Sequence, residues 1–167
     1  MHSIRRARRG LMLVALPGLL AALCADLPAS AAQRTATPCA AGIDRGVLPV
    51  WARTGFSDAA PRVAHVVGRS GDIVAILFAL PLSSPPAQTH GNKILWVSRR
   101  SAVSGSPLHI RAQRMSGGRP VGKPVSRTVA GGPGPSIIDL PAAGCWRMAL
   151  NWSGRSDSLD LRYAART

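Results

Sequence analysis

Glutamate is missing from this 167-residue chain, so its seven acidic residues are all aspartates, set against 21 lysines and arginines. Any carboxylate pair for general acid–base work must therefore be built from a handful of short side chains. Lysine is nearly missing too, since 19 of the 21 basic residues are arginine. Aromatic residues amount to 4%, with one tyrosine and two phenylalanines, and the arginines are not interleaved with them as on a nucleic-acid surface. Helical periodicity is hard to find after residue 40, which excludes long coiled coils and helical repeats. What remains, 46% apolar and 17% charged residues at this length, suits one packed domain with a formal net charge of +14.

The first 31 residues read as a signal peptide. Arg5, Arg6, Arg8 and Arg9 form the basic start, residues 11–24 the apolar stretch, and Ala29-Ser30-Ala31 the small-x-small cleavage site. Pro17-Gly18 interrupts the apolar stretch, which is too short for a comfortable membrane span. Two rival readings are lipidation at Cys24, disfavoured by the large Leu23 before it, and an uncleaved anchor. Arg8-Arg9 also resembles a degraded twin-arginine signal. Cleavage near Ala31 predicts a mature chain that is extracytoplasmic, secreted or envelope-associated, without a transmembrane span and still at net +11. The expected organisation is a leader at 1–31, an N-terminal extension at 32–45 and a β domain at 46–167.

Only Cys39 and Cys145 survive in that chain, and in an oxidising compartment an even pair is most simply a disulfide. Closing so long a loop stabilises the fold by roughly 4–5 kcal/mol in the chain-entropy picture. The alternative is two unpaired thiols, one of them beside Trp146.

Short apolar or alternating runs between Gly, Pro and Ser clusters predict an all-β fold of about eight strands in two packed sheets. Residues 63–67 and 73–80 flank the turn Gly68-Arg69-Ser70-Gly71-Asp72, and the second run is apolar on both faces, which predicts a doubly covered strand. A loop is expected from Pro81 to Gly91-Asn92, then strands at 93–99, 108–115, 124–129 and 136–140. In 108–115, Leu108, Ile110 and Ala112 alternate with His109, Arg111 and Gln113, marking a sheet with one wet face. Trp146, Met148, Leu150 and Trp152 share a face of the penultimate strand, and Leu159, Leu161 and Tyr163 return on the last one after Ser153-Gly154-Arg155-Ser156. Trp146, Trp152 and Trp96 are assigned to the core. An open Trp51 or Trp96 would instead offer a sugar-binding platform.

Three segments, Asn92-Lys93-Ile94-Leu95-Trp96-Val97, Pro135-Ser136-Ile137-Ile138-Asp139-Leu140-Pro141 and Gly144-Cys145-Trp146, resemble those of a family of uncharacterised exported bacterial proteins with an immunoglobulin-like β-sandwich domain. The resemblance covers about residues 45–165 and centres on the corner Leu140-Pro141-Ala142-Ala143-Gly144-Cys145-Trp146. It implies an immunoglobulin-like antiparallel β-sandwich and no particular activity.

Catalytic motifs are scarce. Pro133 and Pro135 remove two N–H donors from Gly131-Gly132-Pro133-Gly134-Pro135-Ser136, so that segment is a turn rather than a phosphate cradle. His65, His90 and His109 have no short spacing that would suit a metal, and neither a nucleophile elbow nor a zincin helix occurs. Neither a metal nor a cofactor is expected. Charge is the remaining lead, with Arg99, Arg100, Arg111, Arg114, Arg119, Lys123 and Arg127 the densest basic series and the candidate polyanion contacts. If strands 108–115 and 124–129 pair, part of that series shares an exposed face. The leading expectation is a non-catalytic binding or accessory module, its partner an anionic envelope polymer or another exported protein, with nucleic acid disfavoured. A basic adhesin and an enzyme of unrecognised type are the alternatives.

Overall fold

A computed structural model of the chain describes residue 39 and residues 42–166. The expected leader, with Cys24 and the cleavage site at Ala31, lies outside the described residues. Alternating and apolar runs form ten strands: β1 (His65–Val67), β2 (Ile73–Leu77), β3 (Ser83–Ser84), β4 (Lys93–Ser98), β5 (Gly105–Ser116), β6 (Arg119–Pro120), β7 (Val125–Gly131), β8 (Pro135–Ile137), β9 (Gly144–Trp152) and β10 (Arg155–Ala165). Among the described residues there is no α-helix, only a single 3-10 turn at Val50–Ala52. No helix there is long and apolar enough to cross a membrane.

The strands make two packed sheets, ordered β1-β2-β4-β8 and β3-β10-β9-β5-β6, with β7 also paired to β5. All pairs are antiparallel except β3 with β10. The protein is therefore an all-β sandwich. Between the sheets Ile73, Ala75 and Leu77 meet Trp96, Leu108, Ile110, Trp146, Met148, Leu150, Trp152, Leu159, Leu161 and Tyr163. The opposite face of β2, Val74 and Ile76, is covered by Leu48 and Ala52, with Trp51 and Phe56 packed alongside. Residues 47–63 thus add an irregular third layer, and β2 is doubly covered as its two apolar faces require.

Each core indole finds an acceptor for its N–H, as burial of a polar atom demands. Trp96 Nε1 donates to Ser136 Oγ at 3.0 Å, Trp146 Nε1 to the Ala142 carbonyl at 2.9 Å, and Trp152 Nε1 to Ser98 Oγ at 3.2 Å. A platform role for Trp96 is excluded by its 1% exposure. Trp51 is half-buried against the outer layer rather than open.

Most expected strand ends move by one to three residues, and three segments differ in ways that the packing accounts for. β2 ends at Leu77: the Phe78 N–H still reaches the Lys93 carbonyl, but its ring turns outward beneath the Lys93 ammonium, 5.7 Å from the ring centre, and the chain leaves the ladder after it. The strand expected at 136–140 ends at Ile137. Its successor Ile138 donates to the Asn92 carbonyl, and Leu140 continues into the core outside the ladder. The expected loop at 81–92 carries β3 and the buried Leu82. Buried Asn92 anchors it, accepting from Ser83 N at 2.8 Å while its amide donates to the Ser83 carbonyl and to Asp139 Oδ1.

Polar ties join the sheets. Asp157, 7% exposed, points from β10 under the β1–β2 turn and accepts the backbone N–H groups of Ser70 at 2.9 Å and Asp72 at 3.1 Å. Gly68 is required there because a Cβ on it would lie 2.2 Å from Asp157 Oδ2. The Tyr163 hydroxyl donates to the Ile138 carbonyl at 2.7 Å. Cys39 and Cys145 are disulfide-bonded with their Cα atoms 5.9 Å apart. Asp44 and His65 exchange backbone hydrogen bonds at 2.9 and 2.8 Å, so the described end of the expected extension is annealed to β1.

Candidate functional site

With acids this few, the fate of each carboxylate sets the electrostatics. Residues 42–166 hold sixteen lysines and arginines against six aspartates. Most of those carboxylates face backbone or amide donors. Asp44 accepts from Gly46 N, Asp58 from Ala60 N, Asp139 from the Asn92 amide and Asp157 from the β1–β2 turn. Asp160 alone pairs with arginines, at 2.7 Å from Arg69 Nη2 and 3.0 Å from Arg147 Nε. Its hydrogen bond holds the Arg147 guanidinium above its ordinary pKa, against a smaller opposing effect of burial. The remaining cations have no carboxylate partner among the described residues.

The seven basic residues singled out by sequence fall into separate places. Arg99 and Arg100 are exposed just past β4, at the end of the sandwich where β5 begins. Arg114 and Arg119 lie at the other end of β5, on the hairpin with β6, with exposed Lys123 in the following turn. The eight residue steps from Ser106 to Arg114 span roughly 26 Å of extended chain, several screening lengths at physiological salt. These are two patches, not one.

β5 and β7 pair as the alternation suggests, yet the pairing does not gather the arginines on one face. Arg111 points outward between Ala149 and Ser126. Arg127 pairs opposite the buried Ile110, on the inward side of β7, and is committed to structure. Its Nε and Nη2 donate to the Asp139 carbonyl at 3.1 and 2.8 Å, closing the rim of the sandwich. Arg114 also has inward parity, opposite Trp146, and its aliphatic stem lies beside Gly144. The cationic end patch is thus Arg114, Arg119 and Lys123.

A polar cleft of about 450 Å³ opens at the opposite end, around the β9–β10 turn. That turn is Ser153-Gly154 with φ values of 46° and 72°, the doubly left-handed geometry of a two-residue hairpin loop. Ser153 Oγ accepts from Val103 N at 2.9 Å, which fixes the loop before β5 against the turn. The cleft is lined by Ser106, His109, Asn151, Ser153, Arg155 and Ser156, with Pro107, Trp152 and Gly154. Register sets His109 opposite Asn151, and Asn151 opposite Ser156, so three polar side chains form a row across β5, β9 and β10. Sequence reading found none of these as a site. The signal available was parity, because His109 and Asn151 alternate with buried neighbours on their strands.

The three described histidines do not converge. His65 is buried with Nδ1 on the Val63 carbonyl at 2.8 Å, His90 contacts Thr89 Oγ1, and His109 lines the cleft. Among the described residues no group of three or more metal-ligating side chains occurs. No family model, curated protein or solved structure matches the chain.

Proposed function

We propose that this chain is an exported, non-catalytic binding module of the cell envelope, engaging an anionic polymer through its cationic surface. The observation that carries this reading is the disposition of the carboxylates. Only Asp160 neutralises arginines, while Arg111, Arg114, Arg119 and Lys123 have no anionic partner among the described residues. A surface with so little internal compensation attracts polyanions at long range and releases their counterions on contact. The likeness to exported immunoglobulin-like proteins supports the same compartment and class. The rigid, disulfide-tied sandwich is a scaffold on which such a surface needs no mobile parts.

Adsorption to isolated cell wall tests the proposal. Binding should fall steeply as salt rises, and charge reversal at Arg114, Arg119 and Lys123 together should abolish most of it at low salt. Each removed phosphate or carboxylate contact lowers the salt slope by about one. Adsorption indifferent to both salt and the triple variant would refute the electrostatic reading. Turnover on a panel of hydrolase substrates would refute the non-catalytic one.

A further inference from the structure

The geometry points to the cleft at the β9–β10 turn as a binding site for a small polyhydroxylated anion, an oxyanion flanked by hydroxyl groups as in a sugar acid or a polyol phosphate. This inference stands apart from the cationic end patch and does not depend on polymer binding.

Three observations support it. Arg155 is the one fully charged residue of the lining, set by its register opposite Trp152 on the inward side of β10, and there is no carboxylate. Arg155 takes part in no ion pair among the described residues, and its Nε is shielded from solvent without a hydrogen-bond partner. Buried donors in folded proteins are nearly always paired, so the unpartnered Nε of an arginine that lines the cleft marks a donor still short of an acceptor. Second, the other polar groups are hydrogen-bonding side chains: the hydroxyls of Ser106, Ser153 and Ser156, the Asn151 amide and the His109 imidazole. Such groups match hydroxyls, which also donate and accept. Ser153 Oγ already accepts from Val103 N, leaving its proton free to donate outward.

Third, the spacing is fixed by the sheet. His109, Asn151 and Ser156 sit on adjacent strands in register, so the row extends roughly 10 Å at about 5 Å per step. A single sugar or short polyol covers such a row, and the cleft volume of about 450 Å³ falls within the range of small-ligand pockets. Pro107 adds an apolar wall against which a ring or carbon chain can rest.

The test is equilibrium binding of the mature chain to glucuronate and to glycerol 1-phosphate, with glucose, glycerol and inorganic phosphate as comparators. At least one of the two anionic polyols should bind at millimolar concentration or below. Which one binds distinguishes a carboxylate from a phosphate source. The neutral polyols and inorganic phosphate should bind about tenfold more weakly, since each lacks half of the recognised chemistry. Arg155→Gln should weaken binding about tenfold or more, and Asn151→Ala about fivefold, while Arg62→Gln on the distant exposed surface should change nothing. Ligand-induced shifts of the Asn151 amide and Trp152 indole resonances in the unmutated protein locate the site even where a variant folds poorly. Equal binding of inorganic phosphate, equal binding of glycerol, or no binding by either anionic polyol would each overturn the assignment. The last result together with salt-sensitive wall adsorption would remove the cleft and leave the envelope reading standing.

Discussion

Raising the pH should destabilise this protein through its only tyrosine. Tyr163 is 1% exposed, packed between the sheets, and its hydroxyl donates to the Ile138 carbonyl at 2.7 Å. Burial pushes its pKa well above the ordinary 10.0, the Asp139 charge pushes it further, and Arg127 opposes both by less. The folded state therefore keeps the proton where the unfolded chain has lost it. Stability from this group is fully present below the ordinary pKa and declines as pH rises above it. The slope is about 1.4 kcal/mol per pH unit until the folded pKa is reached, a loss on the order of 2–3 kcal/mol by about pH 12. Because the chain has one tyrosine, the phenolate absorbance band reports Tyr163 alone. Absorbance and circular dichroism followed together through an alkaline titration should show ionisation only where β structure is lost. Tyr163→Phe should remove this part of the alkaline instability, at a cost near neutral pH of about 1–2 kcal/mol for the unpaired Ile138 carbonyl. A phenolate that appears near the ordinary pKa with the dichroism unchanged would refute the buried placement and the sheet-to-sheet bond.

Gly68→Ala should destabilise the fold by about 2–4 kcal/mol in chemical denaturation, because the new methyl displaces the Asp157 carboxylate from backbone donors it alone satisfies. Gly71→Ala in the same turn meets open space and should cost only about 1 kcal/mol for its left-handed backbone, so equal effects at the two glycines would contradict the close approach. Removing the Cys39–Cys145 bond, which spans 106 residues of sequence, should cost about 4–5 kcal/mol. In the chain cleaved near Ala31, which lacks Cys24, intact mass must show no alkylation before reduction and two alkyl groups after it, and prior alkylation there would disprove the bond.

Strict alternation made the large sheet legible. In β5, β9 and β10 the two-residue period separates Leu108, Ile110 and Ala112 from His109 and Arg111, and Trp146 from Arg147, with no knowledge of partners. Where burial comes from distant chain the sequence was mute. Ser83-Ser84 sits among prolines that signal a loop, and only the arrival of β10 makes it a strand. Residues 47–63 have no period, so their role as a cover for Val74 and Ile76 follows from packing alone. Arg127 is a different case. Its charge suggested exposure, although its alternation with Val125 and the buried Val129 already placed it on the inward side. The cleft needed the β5–β9 register, which joins residues some forty positions apart and leaves no local trace.

The preference for arginine over lysine has a physical ground at some positions and not at others. Arg53 donates through Nε to the Leu48 carbonyl at 2.9 Å and through Nη1 to the Ala59 carbonyl at 2.9 Å, which pins the outer layer. Arg127 forks onto the Asp139 carbonyl, and Arg147 onto Asp160. An ammonium has no rigid fork and would lose one bond of each pair. At Arg99, Arg100, Arg111 and Arg119, by contrast, no side-chain bond within the described residues distinguishes a guanidinium from an ammonium. Base composition of the coding sequence predicts that lysine works equally well there, whereas recognition of carboxylate or phosphate by paired donors predicts that it does not. Lysine substitution at these exposed sites leaves charge and fold in place, so any loss of adsorption on making it belongs to the ligand and not to the sandwich.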